Sequence, residues 1–348
     1  MKIAFKDNFD ITRQQWQHFW SGTNGRPLFQ AIAPKPGVSP VTKPHAYDCA
    51  FGEIDPHIEQ ALAWAETHEF LADSIPYYMV TFAPDHFAAL LGADIVRSEG
   101  SNQTNWVKPC LQTLDGAEIS FQRKGKWWER TVECVERFRQ ACDGKLLITG
   151  THIQGNLDCL VALYGTQPLL LDLAMQPDIV KRALEQVDQA VIEVRQAMAD
   201  LLDIPTWGSI NRFGMYGPGI IDVPQCDVSC MISADMFREF VVPSLTREIK
   251  STDHSIYHLD GPDALQHTES LCSIDALDMI QWMPGEGYYD DDWRKLNRQI
   301  DSLGKGQIFQ PYYKLQAADI EQIWDTFTSR KLFFHVTPEQ LEKLSWLR

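Results

Sequence analysis

From residue 145 onward the chain alternates short apolar runs with amphipathic ones, and that rhythm admits few architectures. KLLITGTHI reads as a strand and NLDCLVALYG as a helix. PLLLDLAMQPDIVKRALEQVDQAVIEVRQAMADLL is helical with a break near Pro177, and TWGSINRFG is a strand and loop. The helix SADMFREFVVPSLTREIKST, with Ser233 as its cap, leads to the strand HSIYHLD and the helix PDALQHTESLCSI. ALDMIQWM, GQIFQPYY and KLFFHV are three more strands, each followed by an amphipathic run. Strands that alternate with helices in this way form parallel βαβ units. Eight such units close on themselves, so the predicted fold class is α/β, an eight-stranded parallel (β/α)8 TIM barrel whose site lies at the C-terminal strand ends.

The N-terminal part is less regular. Residues 9–21 are helical in spacing, and GRPLFQAIAPKPG holds an apolar strand over 28–33. Residues 38–55 form a loop rich in Pro, His, Tyr and Asp; DPHIEQALAWAETHEF then starts a helix with Asp55 as cap and Pro56 in the first turn. PYYMVTF is a strand, residues 95–130 are short strands or an excursion, and KWWERTVECVERFRQAC is a helix. A single domain over residues 1–348 is expected, with the helix in residues 1–24 packed outside the barrel.

A formal net charge of −16 argues against nucleic acid or an anionic membrane as partner. The eight cysteines include no CxxC pair and fit free thiols in a reducing compartment. The opening MKIAFKDNFDITRQQW has no apolar signal core, and no run is long enough to span a membrane, so a cytoplasmic location is expected.

Polar residues just past each strand converge at a barrel mouth. They include Lys35, His152, Asn156, Arg212, His258, Asp260, Trp282, Glu286, Gln310, Tyr312, Tyr313 and His335, with Arg26 at the start of the first strand and Asp227 in a loop. In SIYHLDG, alternation puts Ile256, His258 and Asp260 on one face and Tyr257 and Leu259 on the other. The bulky apolar pair faces the helices, which turns His258 and Asp260 inward. An inward aspartate needs a metal, a histidine or a substrate hydroxyl, because an unpaired buried charge costs several kcal/mol. Glu286 is a candidate acid or base opposite Asp260, and Trp282, Tyr312 and Tyr313 are candidate stacking platforms. His152, Asn156 and Asp158 are candidate substrate contacts, with helix capping as the plainer role for the last two. His254 and His267 read as surface residues.

In order and spacing the chain resembles the uroporphyrinogen decarboxylase superfamily, which includes zinc-dependent, corrinoid-linked methyltransferases and is distantly similar to cobalamin-independent methionine synthase. The segments that carry the likeness are GRPLFQAIAPKPG, THIQGNLDCLVALYG, QCDVSCMISADMFREFVVPSL, YHLDGP and LFFHVTPEQLEKL. The resemblance implies a divalent metal, zinc first, held by His258, Asp260 and His335, and a small-molecule substrate. It also implies a corrinoid protein as partner and a homodimer as the possible assembly. Where the methyltransferases show His-x-Cys-Gly, this chain has Asp260. The arginine that true decarboxylases repeat after Arg-Pro is missing, with Lys35 in that stretch, so uroporphyrinogen is not an expected substrate. The expected function is a metal-dependent methyltransferase-like activity on a small molecule. The alternative is a carbohydrate-active hydrolase or lyase using Asp260 and Glu286 as paired carboxylates.

Overall fold

The computed structural model describes residues 2–97 and 104–347. In chain order its strands are β1 (Leu28–Pro34), β2 (His68–Ala72), β3 (Tyr77–Met79), β4 (Asp94–Arg97), β5 (Asn105–Lys108), β6 (Leu147–Thr149), β7 (Ser209–Ile210), β8 (Tyr216–Gly217), β9 (Ile221–Asp222), β10 (His254–Asp260), β11 (Met279–Met283), β12 (Gly306–Phe309) and β13 (Leu332–His335). Seven of them form one sheet in the order β2-β1-β13-β12-β11-β10-β9. Every pairing from β1 round to β9 is parallel; β2 alone runs antiparallel, against β1. A second parallel pair joins β3 to β6, and β4–β5 and β7–β8 are antiparallel.

The first parallel strand therefore pairs with the last, as in a TIM-like fold, but among the described residues the ladder does not run unbroken round eight strands. Side chains make the joins where it stops. The Ser74 hydroxyl bonds both the amide and the carbonyl of Ala31, at 2.8 and 3.0 Å, between β1 and the segment leading to β3. The Thr149 hydroxyl donates to the Ile210 carbonyl at 2.7 Å, linking β6 to β7. β2 departs from expectation too: its residues read in sequence as the end of a helix. That helix stops at Glu66, and Thr67 turns the chain, its hydroxyl accepting from the Val41 amide at 3.1 Å.

Two-residue alternation sorts the strand side chains into layers. Leu28, Ile256, Met279, Ile308 and Phe333 fill the interior, and register places Leu28 beside Phe333 and Ile256 beside Met279. Tyr257, Leu259, Ile280 and Trp282 point the other way, into the cluster shared with the surrounding helices. Above the apolar interior layer, toward the strand C-termini, the inward positions turn polar. His258 lies beside Gln281, and Gln30 beside His335.

The N-terminal helix Phe9–Ser21 does not join the outer helices. Phe9, Trp16, Phe19 and Trp20 are buried in the same cluster as the interior strand residues, with Trp16 5.1 Å from the Phe333 ring. The Trp16 indole donates to the Asp73 carbonyl and the Trp20 indole to that of Tyr216. The helix thus seals the end of the sheet opposite the polar layer. His254, at the start of β10, is half-buried and stacks on Trp20 at 4.2 Å, and His267, expected at the surface, is buried against Phe237 at 4.1 Å. Among the described residues no single helix is long and apolar enough to cross a membrane.

Phe333 is fully buried between the interior layer and Trp16. Phe333→Ala is expected to lower unfolding free energy by about 3–5 kcal/mol. Urea denaturation followed by both tryptophan fluorescence and far-UV circular dichroism should show this as a shift of one coincident transition; two separated transitions would count against one cooperative domain.

Candidate metal site

β10 and β11 carry the central pair. His258 Nδ1 bonds the Gln281 Oε1 that register sets beside it. The Gln281 amide nitrogen is taken up by the Trp282 carbonyl at 2.9 Å, the Tyr312 hydroxyl at 2.9 Å and Gln310 Oε1 at 3.3 Å. That leaves only its oxygen for His258, so the Nδ1 nitrogen carries the proton. His258 Nε2 is then a free lone pair facing Asp260 Oδ2 at 3.8 Å. The third group is Asp227, which opens a short 3-10 turn, Asp227–Met231. One donor atom each from Asp227, His258 and Asp260 lie within 4.8 Å of one another.

Asp227 is itself held. The Gln225 amide donates to its Oδ2 at 2.8 Å. Asp158 accepts from the backbone amides of Asp227 and Val228, at 2.8 and 3.1 Å, and so caps the turn. Desolvation raises the Asp227 pKa, and so does Asp260, while His258 and Arg212 oppose the rise. Asp158, buried beneath, is pushed up to about 7 by desolvation and by Asp227. Two carboxylates and one imidazole nitrogen converging in this way form a donor set that suits a divalent cation. His258 and Asp227 each have an outer partner, Gln281 and Gln225, as metal ligands usually do.

The expected third ligand, His335, is elsewhere. Its Nε2 donates to the Phe213 carbonyl at 3.0 Å, and burial lowers its pKa to about 4, so it stays neutral. The loop Asn211–Gly214 lies across that part of the interior. Gly214 packs so close to Gln30 that a Cβ there would stand 2.3 Å from the Gln30 amide nitrogen. The loop therefore separates His335 from His258 and Asp260. Glu286 stands exposed on the turn after β11 and is not in the cluster; the carboxylate near Asp260 is Asp227.

Other candidates divide. Gln310 and Tyr312 join the His258 network through Gln281. Arg212 lies within electrostatic reach of Asp227, Asp222, Tyr47 and Asp260, and His152 within reach of Arg212 and His258. Burial first, then the Arg212 charge, lowers the His152 pKa well below its ordinary value, so the ring is neutral. Lys35 is half-buried beyond β1. Trp282 is no platform: it is buried against Trp293, with ring centroids 5.0 Å apart. Tyr313 turns to the helices, where its hydroxyl meets Asn297. Arg26 is engaged by both carboxylate oxygens of Asp73, at 2.7 and 2.9 Å. Asn156 is fully buried, its amide donating to the Gln225 carbonyl at 2.8 Å and to Glu248. Sequence reasoning passed over Gln281 and Gln225. The available signal was a glutamine in the middle of the apolar strand MIQWM, where an amide must find partners.

No protein-family model matches this chain, and no curated protein matches it. Among solved structures, a methyltransferase from Methanosarcina mazei superposes with a TM-score of 0.60 at 13% sequence identity. The match covers 94% of this chain and 93% of that one. The likeness is one of fold across the whole length.

Glu248 sits with Asn156 beneath the mouth, and burial pushes its pKa up to about 8. Asp158 and Glu248 thus hold protons in the native state that an unfolded carboxyl, with a pKa of about 4, has released. Both contributions are full below about pH 4 and are lost as pH rises through about 7 to 8. Melting temperature is expected to fall from pH 5 to pH 8.5, and Glu248→Gln should flatten part of that slope in scanning calorimetry. An unchanged slope in the variant would show that Glu248 is already ionised.

Proposed function

We propose that this chain is a metal-dependent transferase of a methyl or similarly small group on a small molecule, built on a closed (β/α)8 barrel. Asp227, His258 and Asp260 would hold a divalent ion, with zinc the first candidate. The observation that carries the reading is the convergence of three donors within 4.8 Å, two of them, His258 and Asp227, held by orienting partners. The full-length fold likeness to a methyltransferase supports the reaction class. A corrinoid protein is the proposed methyl source or acceptor.

A bound divalent ion would supply Lewis acidity, lowering the pKa of a substrate atom placed on it. One nitrogen and two carboxylate oxygens form a harder donor set than one with thiolates, so oxygen or nitrogen is favoured over sulfur as that atom. The protein's own part is orientation. Gln281 holds the His258 tautomer, Tyr312 and Gln310 hold Gln281, and Asp158 with Gln225 aims Asp227. Asp260, exposed and next to His258, is placed to take a proton released by the substrate. The carbohydrate reading rested on Asp260 with Glu286, and Glu286 lies exposed outside the Asp227–His258–Asp260 cluster. Uroporphyrinogen is not the proposed substrate, since Arg26 is already committed to Asp73.

Calorimetric titration of metal-stripped protein with zinc is expected to show one site. Asp260→Asn and Asp227→Asn should each weaken it by at least about tenfold, and Gln281→Leu by about 10–100-fold. His335→Ala should leave affinity within about twofold. Wild-type affinity in both aspartate variants would sink the metal reading.

A further inference from the structure

Arg212 occupies a position that the metal reading leaves without a role. It projects from the loop Asn211–Gly214, where the Asn211 side-chain oxygen accepts from the amides of Phe213 and Met215 at 3.0 and 3.1 Å and holds the loop in shape. The Tyr77 hydroxyl fastens the Arg212 carbonyl at 3.2 Å. Its guanidinium carbon stands 5.3 Å from the Phe213 ring centre, and that ring is 6.2 Å from the His258 ring. The arginine is thus rigidly based and next to the candidate metal site.

Its Nε and Nη2 are both shielded from solvent and have no hydrogen-bond partner among the described residues. These two nitrogens form one edge of the guanidinium, the edge that meets two oxygens side-on. Leaving two charged donors unpaired inside a protein is costly. Arg195, which is buried, shows the contrast: it is paired with Asp222 at 2.5 Å and donates to the Glu248 carbonyl at 2.8 Å, and only its Nε is without a partner among the described residues. Beside Arg212 lies a cavity of about 60 Å³, lined also by Thr151, His152 and Asn211, and the Nδ1 of His152 and Nδ2 of Asn211 are unpartnered as well. That space suits a group of carboxylate size.

We propose that Arg212 is the carboxylate clamp of this site, so that the substrate is a small monocarboxylate carrying an oxygen or nitrogen function for the metal. The proposal rests on the metal reading for the second function and for the charge count that selects a monoanion. Charge balance selects a monoanion. With Asp222, which also lines the cavity, balanced by Arg195, a divalent ion, the guanidinium and the carboxylates of Asp227 and Asp260 leave one positive charge, which a single carboxylate cancels. A dianionic phosphate would overshoot it beside two aspartates.

The test uses the full chain, with and without zinc, and a panel of ω-hydroxy monocarboxylates from glycolate to 5-hydroxypentanoate. Their neutral amides and inorganic phosphate serve as controls. Calorimetry should show at least one carboxylate binding about tenfold or more tighter than its amide, in metal-free protein too, with zinc adding affinity. Arg212→Lys keeps a charge but not the fork, and is expected to lose about tenfold in carboxylate affinity while holding the wild-type melting temperature within a few degrees. Arg212→Gln should abolish the preference for carboxylate over amide. Carboxylates that bind no better than amides, or phosphate that binds better than every carboxylate, would overturn the proposal. Carboxylate preference that persists without any zinc affinity would leave the clamp standing and remove the metal.

Discussion

Parallel pairing of β10 with β11 sets His258 beside Gln281, and the mouth is assembled outward from that contact. The interior below it is apolar and sealed by the N-terminal helix, so a polar pair at this height has no water to fall back on and must be satisfied by neighbours. Gln281 does this with both ends of its amide. Its oxygen fixes the histidine and its nitrogen gathers Tyr312, Gln310 and the Trp282 carbonyl. Two neighbouring strands, β10 and β11, and the loop after β12 are thereby tied into one network.

A second network supports the opposite wall. Asn156 adopts a left-handed backbone conformation, φ 44°, which asparagine tolerates better than most residues. From there its amide reaches the Gln225 carbonyl and Glu248, while Arg195 joins Asp222 to the Glu248 carbonyl. Gly155 is required beside it, since a Cβ there would stand 2.8 Å from Glu248 Oε2. The segment carrying Gln225 and Asp227 thus rests on a buried polar floor. Such a floor is expensive to bury and buys position: Asp227 is presented from a capped turn, not from a free loop.

These two supports explain why the donor set changes from the expected His258, Asp260 and His335 to one that includes Asp227. With His258 and Asp260 projecting from one strand, the third donor has to come from a neighbouring loop. The β13 position is closed off by Phe213 and Gly214. Asp227 is the loop residue that the capped turn brings within reach. A likeness of fold at 13% identity is compatible with that change, because the fold is carried by the layered strand residues and the chemistry by residues beyond the strand ends.

Much of the scaffold was legible in order. The strand HSIYHLD, the helix KWWERTVECVERFRQAC and the break at Pro177 appear where hydrophobic periodicity and proline put them, because these are local properties. The inward turn of His258 followed from two-residue alternation against Tyr257 and Leu259. What alternation cannot supply is the distance between side chains on different elements. His335 and Asp227 looked alike as candidates, since both follow an apolar stretch; only the crossing of the Asn211–Gly214 loop excludes the first and only the Asp158 cap delivers the second. Trp282 and Asn156 likewise read as mouth residues and proved to be buried among helices and amides. The sequence by itself determined which residues form strands and which face each side chain takes, because both are set by near neighbours in the chain. Tertiary structure decided which polar groups meet, because that depends on loop paths and caps that link residues dozens of positions apart.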